Sequence, residues 1–221
     1  MDLAMDEYLN ETRFFNFRSP TVQGFVEQYR LEDATPTENM IALYYGVRDA
    51  IPYNPYVFSP HPDRFKASDC ISQGSSYCIP KAILLGACAR AIGVPSRLGL
   101  ADVKNHLSSP ALIEWLQSDV FVMHGYIELW LNGQWIKATP AFDQTLCDKL
   151  GVPALPFDGL SDSIFHAYTS GGEKHMEYLT DHGTFADVPH GLIVQTLAQA
   201  YPHLINRFVE QGASRQLIDE I

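Results

Sequence analysis

The sequence is poor in several features that would mark whole classes of protein. Lys and Arg number 15 against 26 Asp and Glu, giving a formal net charge of -11. A surface that tracks nucleic-acid phosphates rests on clustered Lys and Arg, so no nucleic-acid partner is expected. The four cysteines, Cys70, Cys78, Cys88 and Cys147, include no CxxC pair. That spacing indicates neither a disulfide framework nor a zinc knuckle. No apolar run is long enough to span a bilayer, since residues 79–94 are interrupted by Lys81 and Arg90. The opening Met1-Asp2-Leu3-Ala4-Met5-Asp6-Glu7 is acidic and lacks the basic start and apolar run of a signal peptide. The expectation from these absences is a cytoplasmic protein with no membrane partner. Repeats and low-complexity tracts are also lacking.

What is present is the material of a packed core. Hydrophobic residues make up 46% of 221 residues and charged residues 19%, which suits one globular domain over residues 1–221. Residues 12–17 read as a strand. Residues 21–29 and 37–51 carry apolar side chains at helical spacing. Residues 67–73 read as a connector or one helical turn, and Gly74-Ser75-Ser76-Tyr77 as a turn-rich approach to Cys78. From Ile79 a helix runs to about Ile92 with almost no polar face, so it is expected to be buried. Pro80 is tolerated in its first turn, and Gly93 suits its end. Residues 96–102 read as a strand, and 105–118 as a loop with a short helix. Two alternating runs then flank Asn132-Gly133, a strong hairpin signal. Beyond Pro140 the chain reads as loop to about Asp187, with helices at 192–201 and 204–211. Helices first and an antiparallel sheet after them predict an α+β fold.

A nucleophilic cysteine needs a lowered pKa, a base and access to substrate. Cys78 precedes a helix, where unpaired N–H groups and the helix dipole favour thiolate and can hold a developing oxyanion. Cys88 sits in a small-residue helical stretch and reads as core. Among eight histidines, His124 lies at the edge of a strand with apolar neighbours, placed to reach a helix packed on the sheet. Its second ring nitrogen needs an acceptor to fix the tautomer. The facing strand ends at Ala138-Thr139-Pro140, with Asp143 shortly after, so Thr139 and Asp143 are the candidates.

These segments resemble the transglutaminase-like superfamily. Gly74-Ser75-Ser76-Tyr77-Cys78, with Gly93-Val94-Pro95-Ser96-Arg97 closing the helix, resembles its nucleophile segment. His124-Gly125-Tyr126-Ile127-Glu128-Leu129-Trp130 resembles its histidine strand, and Gln134-Trp135-Ile136-Lys137-Ala138-Thr139-Pro140 the strand that follows. The likeness covers residues 37–142, leaving 143–221 to wrap the core or the cleft. Lys137-Ala138-Thr139-Pro140-Ala141-Phe142, Phe157-Asp158-Gly159, Asp162-Ser163 and His175-Met176-Glu177-Tyr178 resemble a bacterial branch. The resemblance implies a papain-like site with Cys78 as nucleophile, His124 as base and no cofactor or metal. It also implies acyl transfer on protein or peptide amides through a thioester, by hydrolysis or transamidation. One position departs: the family's aspartate is here Thr139, which accepts a hydrogen bond but carries no charge.

Two other readings follow from the same residues. The departure at Thr139 suits a non-catalytic interaction module that keeps the fold. His166, His175, Glu177 and Asp158 suggest a metal-dependent hydrolase, although they lack a regular ligand spacing. Gln73 is a further oxyanion-donor candidate. Trp130 and Trp135 fit a cross-strand pair.

Overall fold

The computed structural model describes residues 3–165, 171–172, 175–207 and 216–219, with side chains left undescribed at 3–4 and 205–207. Helices α1 (Pro20–Tyr29), α2 (Pro36–Ala50) and α3 (Ala67–Ser72) surround the central α4 (Cys78–Ala91). The sheet contains β1 (Ser96–Asn105), β2 (Val120–Leu131), β3 (Gln134–Ala138) and β4 (Met176–Phe185). Its order is β3-β2-β1-β4, and every pairing is antiparallel. Short helices α5 (Pro110–Leu116) and α6 (Gln144–Leu150) interrupt the sheet connections, and α7 (His190–Ala200) and α8 (Pro202–Arg207) follow it. The expected α+β architecture is the one observed. Among the described residues no helix is long and apolar enough to cross a membrane.

Each element has a local cause. Ser19, Thr35 and Ser109 cap α1, α2 and α5 with their hydroxyls, and Pro follows each cap. Thr35 and Glu38 form a reciprocal capping box. Asn132 and Gly133 take φ of 52° and 83°, as the tight hairpin turn between β2 and β3 requires. In that hairpin Trp130 faces Trp135 with ring centroids 5.4 Å apart.

α4 is buried because its whole circumference is apolar. From Ile79 to Arg90 every residue is buried. α4 packs on β1 and β2 on one side and on α1, α2 and α3 on the others. Its two cations, Lys81 and Arg90, donate to backbone carbonyls rather than to carboxylates. Lys81 Nζ donates to the carbonyls of Arg48 (2.8 Å) and Ile51 at the end of α2. Arg90 donates to Asn10 O (2.6 Å), Ser96 O (2.9 Å) and Ala186 O (2.6 Å), and lies 3.9 Å over the Phe15 ring.

The structure corrects two expectations. Residues 12–17 form no strand, because the Thr12 hydroxyl accepts the N–H groups of Phe14 (3.2 Å) and Phe15 (3.0 Å) and bends the chain. The stretch read as loop beyond Pro140 holds α6, capped by Asp143, and the edge strand β4. β4 buries Met176 but is otherwise mostly exposed, so it lacks the apolar alternation that announces a strand.

Candidate active site

The approach to Cys78 is pinned before the helix begins. Asn54 N–H donates to Ser76 O at 2.7 Å, and Ser76 N–H to Pro52 O at 2.9 Å. Gly74, with φ of 73°, supplies the reversal that brings the chain there. α4 then opens at Cys78 itself, with Pro80 in its first turn and Lys81 N–H closing on Tyr77 O at 3.2 Å. The N–H groups of Cys78 and Ile79, which no preceding turn claims, bear on the sulfur together with that of Gly125. Cys78 stays partly exposed, whereas Cys70, Cys88 and Cys147 are buried.

His124 sits on β2, 5% exposed. The residue before it, Met123, has φ of 60°, a conformation that costs a non-glycine residue free energy. Asp102 on β1 holds that kink. Its Oδ1 accepts Met123 N–H at 3.0 Å and meets His182 Nε2 of β4 at 2.8 Å. The ladder shifts register at the same point, between Ala101 and Val103. On the other side of His124, Gly125 lets α4 approach: a Cβ there would lie 2.8 Å from Ile79 Cα. The kink and the close approach bring Cys78 and His124 to the wall of one cavity.

Burial sets the protonation of the pair. The Cys78 thiol is pushed up to about 11 by burial, against the opposing pull of the Gly125, Ile79 and Cys78 N–H groups. His124 is pushed down to about 4 by burial. Helix-start physics alone predicts a depressed thiol pKa; here the apolar surroundings win. Both shifts act in the same sense, favouring the uncharged thiol and the uncharged imidazole.

Neither candidate orienter is hydrogen-bonded to His124 among the described residues. His124 Nε2 and Thr139 Oγ1 are buried without a hydrogen-bond partner of ordinary geometry. The Thr139 hydroxyl bears instead on the Tyr178 phenol, which burial pushes up to about 12 and which the Phe165 N–H and Thr139 draw the other way. Asp143 has both oxygens engaged, Oδ1 by Leu146 N–H at 3.0 Å and Oδ2 by Tyr53 N–H at 2.8 Å. Phe165 packs between His124 and Phe142, with centroids 5.6 and 4.8 Å away.

Sequence reading missed Asp102, Met123, Phe165 and Tyr178. Asp102 left a trace as a charge at the end of an apolar strand, and Tyr178 as the last residue of the His175-Met176-Glu177-Tyr178 motif, without a role assigned to either. Elsewhere, the Gln73 amide binds Asp69, Asp158 caps its own turn through Leu160 and Ser161 N–H, and Glu177 pairs with His106 at 3.2 Å. His166 lies outside the described residues, among which no cluster of three metal-ligating side chains occurs.

The family model of the Transglutaminase-like superfamily matches residues 23–140, more than half of the 221 residues. That segment contains Cys78, His124 and Thr139. No curated protein matches the chain. Among solved structures, a proposed cysteine protease from Cytophaga hutchinsonii aligns at 18% identity with a TM-score of 0.47, covering 63% of this chain and 43% of that one. The chain thus spans less than half of that protein's length. An arylamine N-acetyltransferase from Mycobacterium abscessus aligns at 13% identity with a TM-score of 0.44, covering 87% of this chain and 72% of that one.

Proposed function

Because this chain belongs to the Transglutaminase-like superfamily, we propose that it carries out acyl transfer on amide bonds with Cys78 as nucleophile and His124 as proton carrier. The observation that carries the reading is the start of α4. There the sulfur of the half-buried Cys78 meets three backbone N–H groups and shares a cavity wall with the buried His124 ring. Since burial favours the uncharged form of both groups, His124 takes the thiol proton as the sulfur attacks the carbonyl, in the manner of a general base. The Cys78 and Ile79 N–H groups are the donors available to the oxyanion. His124 then protonates the leaving amine and a thioester remains. Water completes hydrolysis, or a second amine completes transamidation, and the substrate is a peptide or protein amide.

The second reading is a non-catalytic interaction module. It is favoured by the missing hydrogen bond between His124 Nε2 and Thr139 Oγ1. The first reading is preferred because the sulfur, its backbone N–H groups and His124 meet at one cavity wall.

The two separate on one experiment. The purified chain is mixed with p-nitrophenyl acetate, and the acetyl group is located by peptide mass spectrometry. Acetylation of Cys78 is expected, lost in Cys78→Ala and slowed about 100-fold or more in His124→Ala. Unchanged acetylation in His124→Ala, or none at Cys78 in the unaltered chain, leaves the module reading in place.

A further inference from the structure

The cavity that Cys78 borders is almost wholly apolar. Its volume is about 70 Å³, and its described lining contains no Asp, Glu, Lys or Arg. Phe58, Trp115 and Phe121 form aromatic walls, Val122 lines the β2 side, and Leu197 and Leu204 come from α7 and α8. The closing wall is anchored. The Tyr201 hydroxyl donates to Val120 O at 2.6 Å and accepts Val122 N–H at 2.8 Å, which holds the α7–α8 junction against β2. The polar side-chain groups of the lining are the Cys78 thiol, the His124 ring, the Trp115 indole N–H and the hydroxyls of Tyr53, Tyr77 and Tyr201, of which the buried Tyr77 hydroxyl has no hydrogen-bond partner among the described residues.

We infer that this cavity is an acyl-chain site and that the acyl group transferred is an apolar one, a short aliphatic chain of a few carbons. The inference rests on the reading of Cys78 as nucleophile and narrows its substrate. The acyl carbon is the atom bonded to sulfur in the intermediate, so whatever extends from it must occupy the space beside the sulfur. That space offers apolar side chains and a few neutral polar groups, the usual make-up of a small-molecule pocket. It offers no counter-charge for an ionised substituent and few partners for a carboxamide side chain.

p-Nitrophenyl esters of increasing chain length test this on the full chain. In each, the Cys78 Sγ–acyl bond forms and the ester C–O bond breaks. The thiol proton passes to His124, and p-nitrophenolate leaves. The acylation rate at limiting ester should rise about fourfold per methylene, the value of burying one CH₂ group, until the chain fills the cavity. Leu197→Trp and Leu204→Trp, each adding bulk to the far wall, should end the rise at a shorter chain. The chain length at which the rise stops is the readout, so a lower overall rate in a variant does not obscure it. A series that is flat or falls with chain length, while acetate still acylates Cys78, overturns the acyl-chain site and leaves the nucleophile standing. No acylation of Cys78 by any ester overturns the nucleophile and the inference together.

Discussion

Burial pushes the Cys78 thiol up to about 11 and the His124 ring down to about 4. Two measurable consequences follow at this scale. Iodoacetamide reacts with thiolate and recruits no base, so Cys78 alkylation should climb about tenfold per pH unit from pH 7 to 10. Cys78 should still be the first thiol modified, since Cys70 and Cys147 are buried and pushed up to about 12. A rate already saturated at pH 7, mapped by peptide mass spectrometry, would mean that thiolate is the resting form. The second consequence concerns stability. His124 folded takes up its proton only near pH 4, whereas unfolded it does so near 6.5. Between those values the unfolded chain binds more protons, so this residue lowers stability as pH falls from about 6.5 to 4, by roughly 3 kcal/mol in total. His124→Gln should flatten that part of the urea-midpoint profile, and an unaltered slope would place the titration elsewhere.

At the scale of elements, the site depends on how closely the start of α4 meets β2. Gly125 allows the contact, and the Asp102 carboxylate holds the left-handed Met123 that turns the strand just before His124. Gly125→Ala puts a methyl group 2.8 Å from Ile79 Cα, and backbone on both sides cannot rotate away. A loss of about 1–3 kcal/mol is expected, with Cys78 acylation falling more than tenfold because the helix start shifts relative to His124. Asp102→Ala leaves Met123 N–H without its acceptor, a cost of about 1–3 kcal/mol. Its acylation should drop while the thermal transition remains cooperative; unchanged acylation would mean that the kink does not position His124.

For the whole molecule, Arg90 is the main stitch. It joins the N-terminal segment at Asn10, the start of β1 at Ser96 and the exit of β4 at Ala186, while stacking on Phe15. One core cluster runs from Phe14 to Leu217 through helices and sheet. Arg90→Met should therefore destabilise helices and sheet together, by about 3 kcal/mol, since one buried and two part-buried carbonyls lose a charged donor. Tryptophan fluorescence, which reports Trp115, Trp130 and Trp135, and far-ultraviolet circular dichroism should follow one shared urea transition, displaced to lower denaturant. Two separated transitions would show that the layers unfold independently.

The sequence by itself determined α4, the hairpin and the order of the Cys78, His124 and Thr139 segments, because each is written in local chemistry. An apolar run with Pro in its first turn, an Asn-Gly pair between alternating strands, and a glycine at a helix end all act within a few residues. Residues 12–17 misled because Thr12 diverts the backbone through its own hydroxyl, which outweighs strand-forming composition. β4 was illegible because an exposed edge strand takes its conformation from β1 rather than from its own pattern. Only the tertiary structure decided the protonation of the site. A helix N-terminus favours thiolate wherever it stands, but desolvation depends on what the rest of the chain packs around it. Here that packing favours the neutral thiol and imidazole, gives Asp143 to Tyr53 and α6, and sets the Thr139 hydroxyl beside Tyr178.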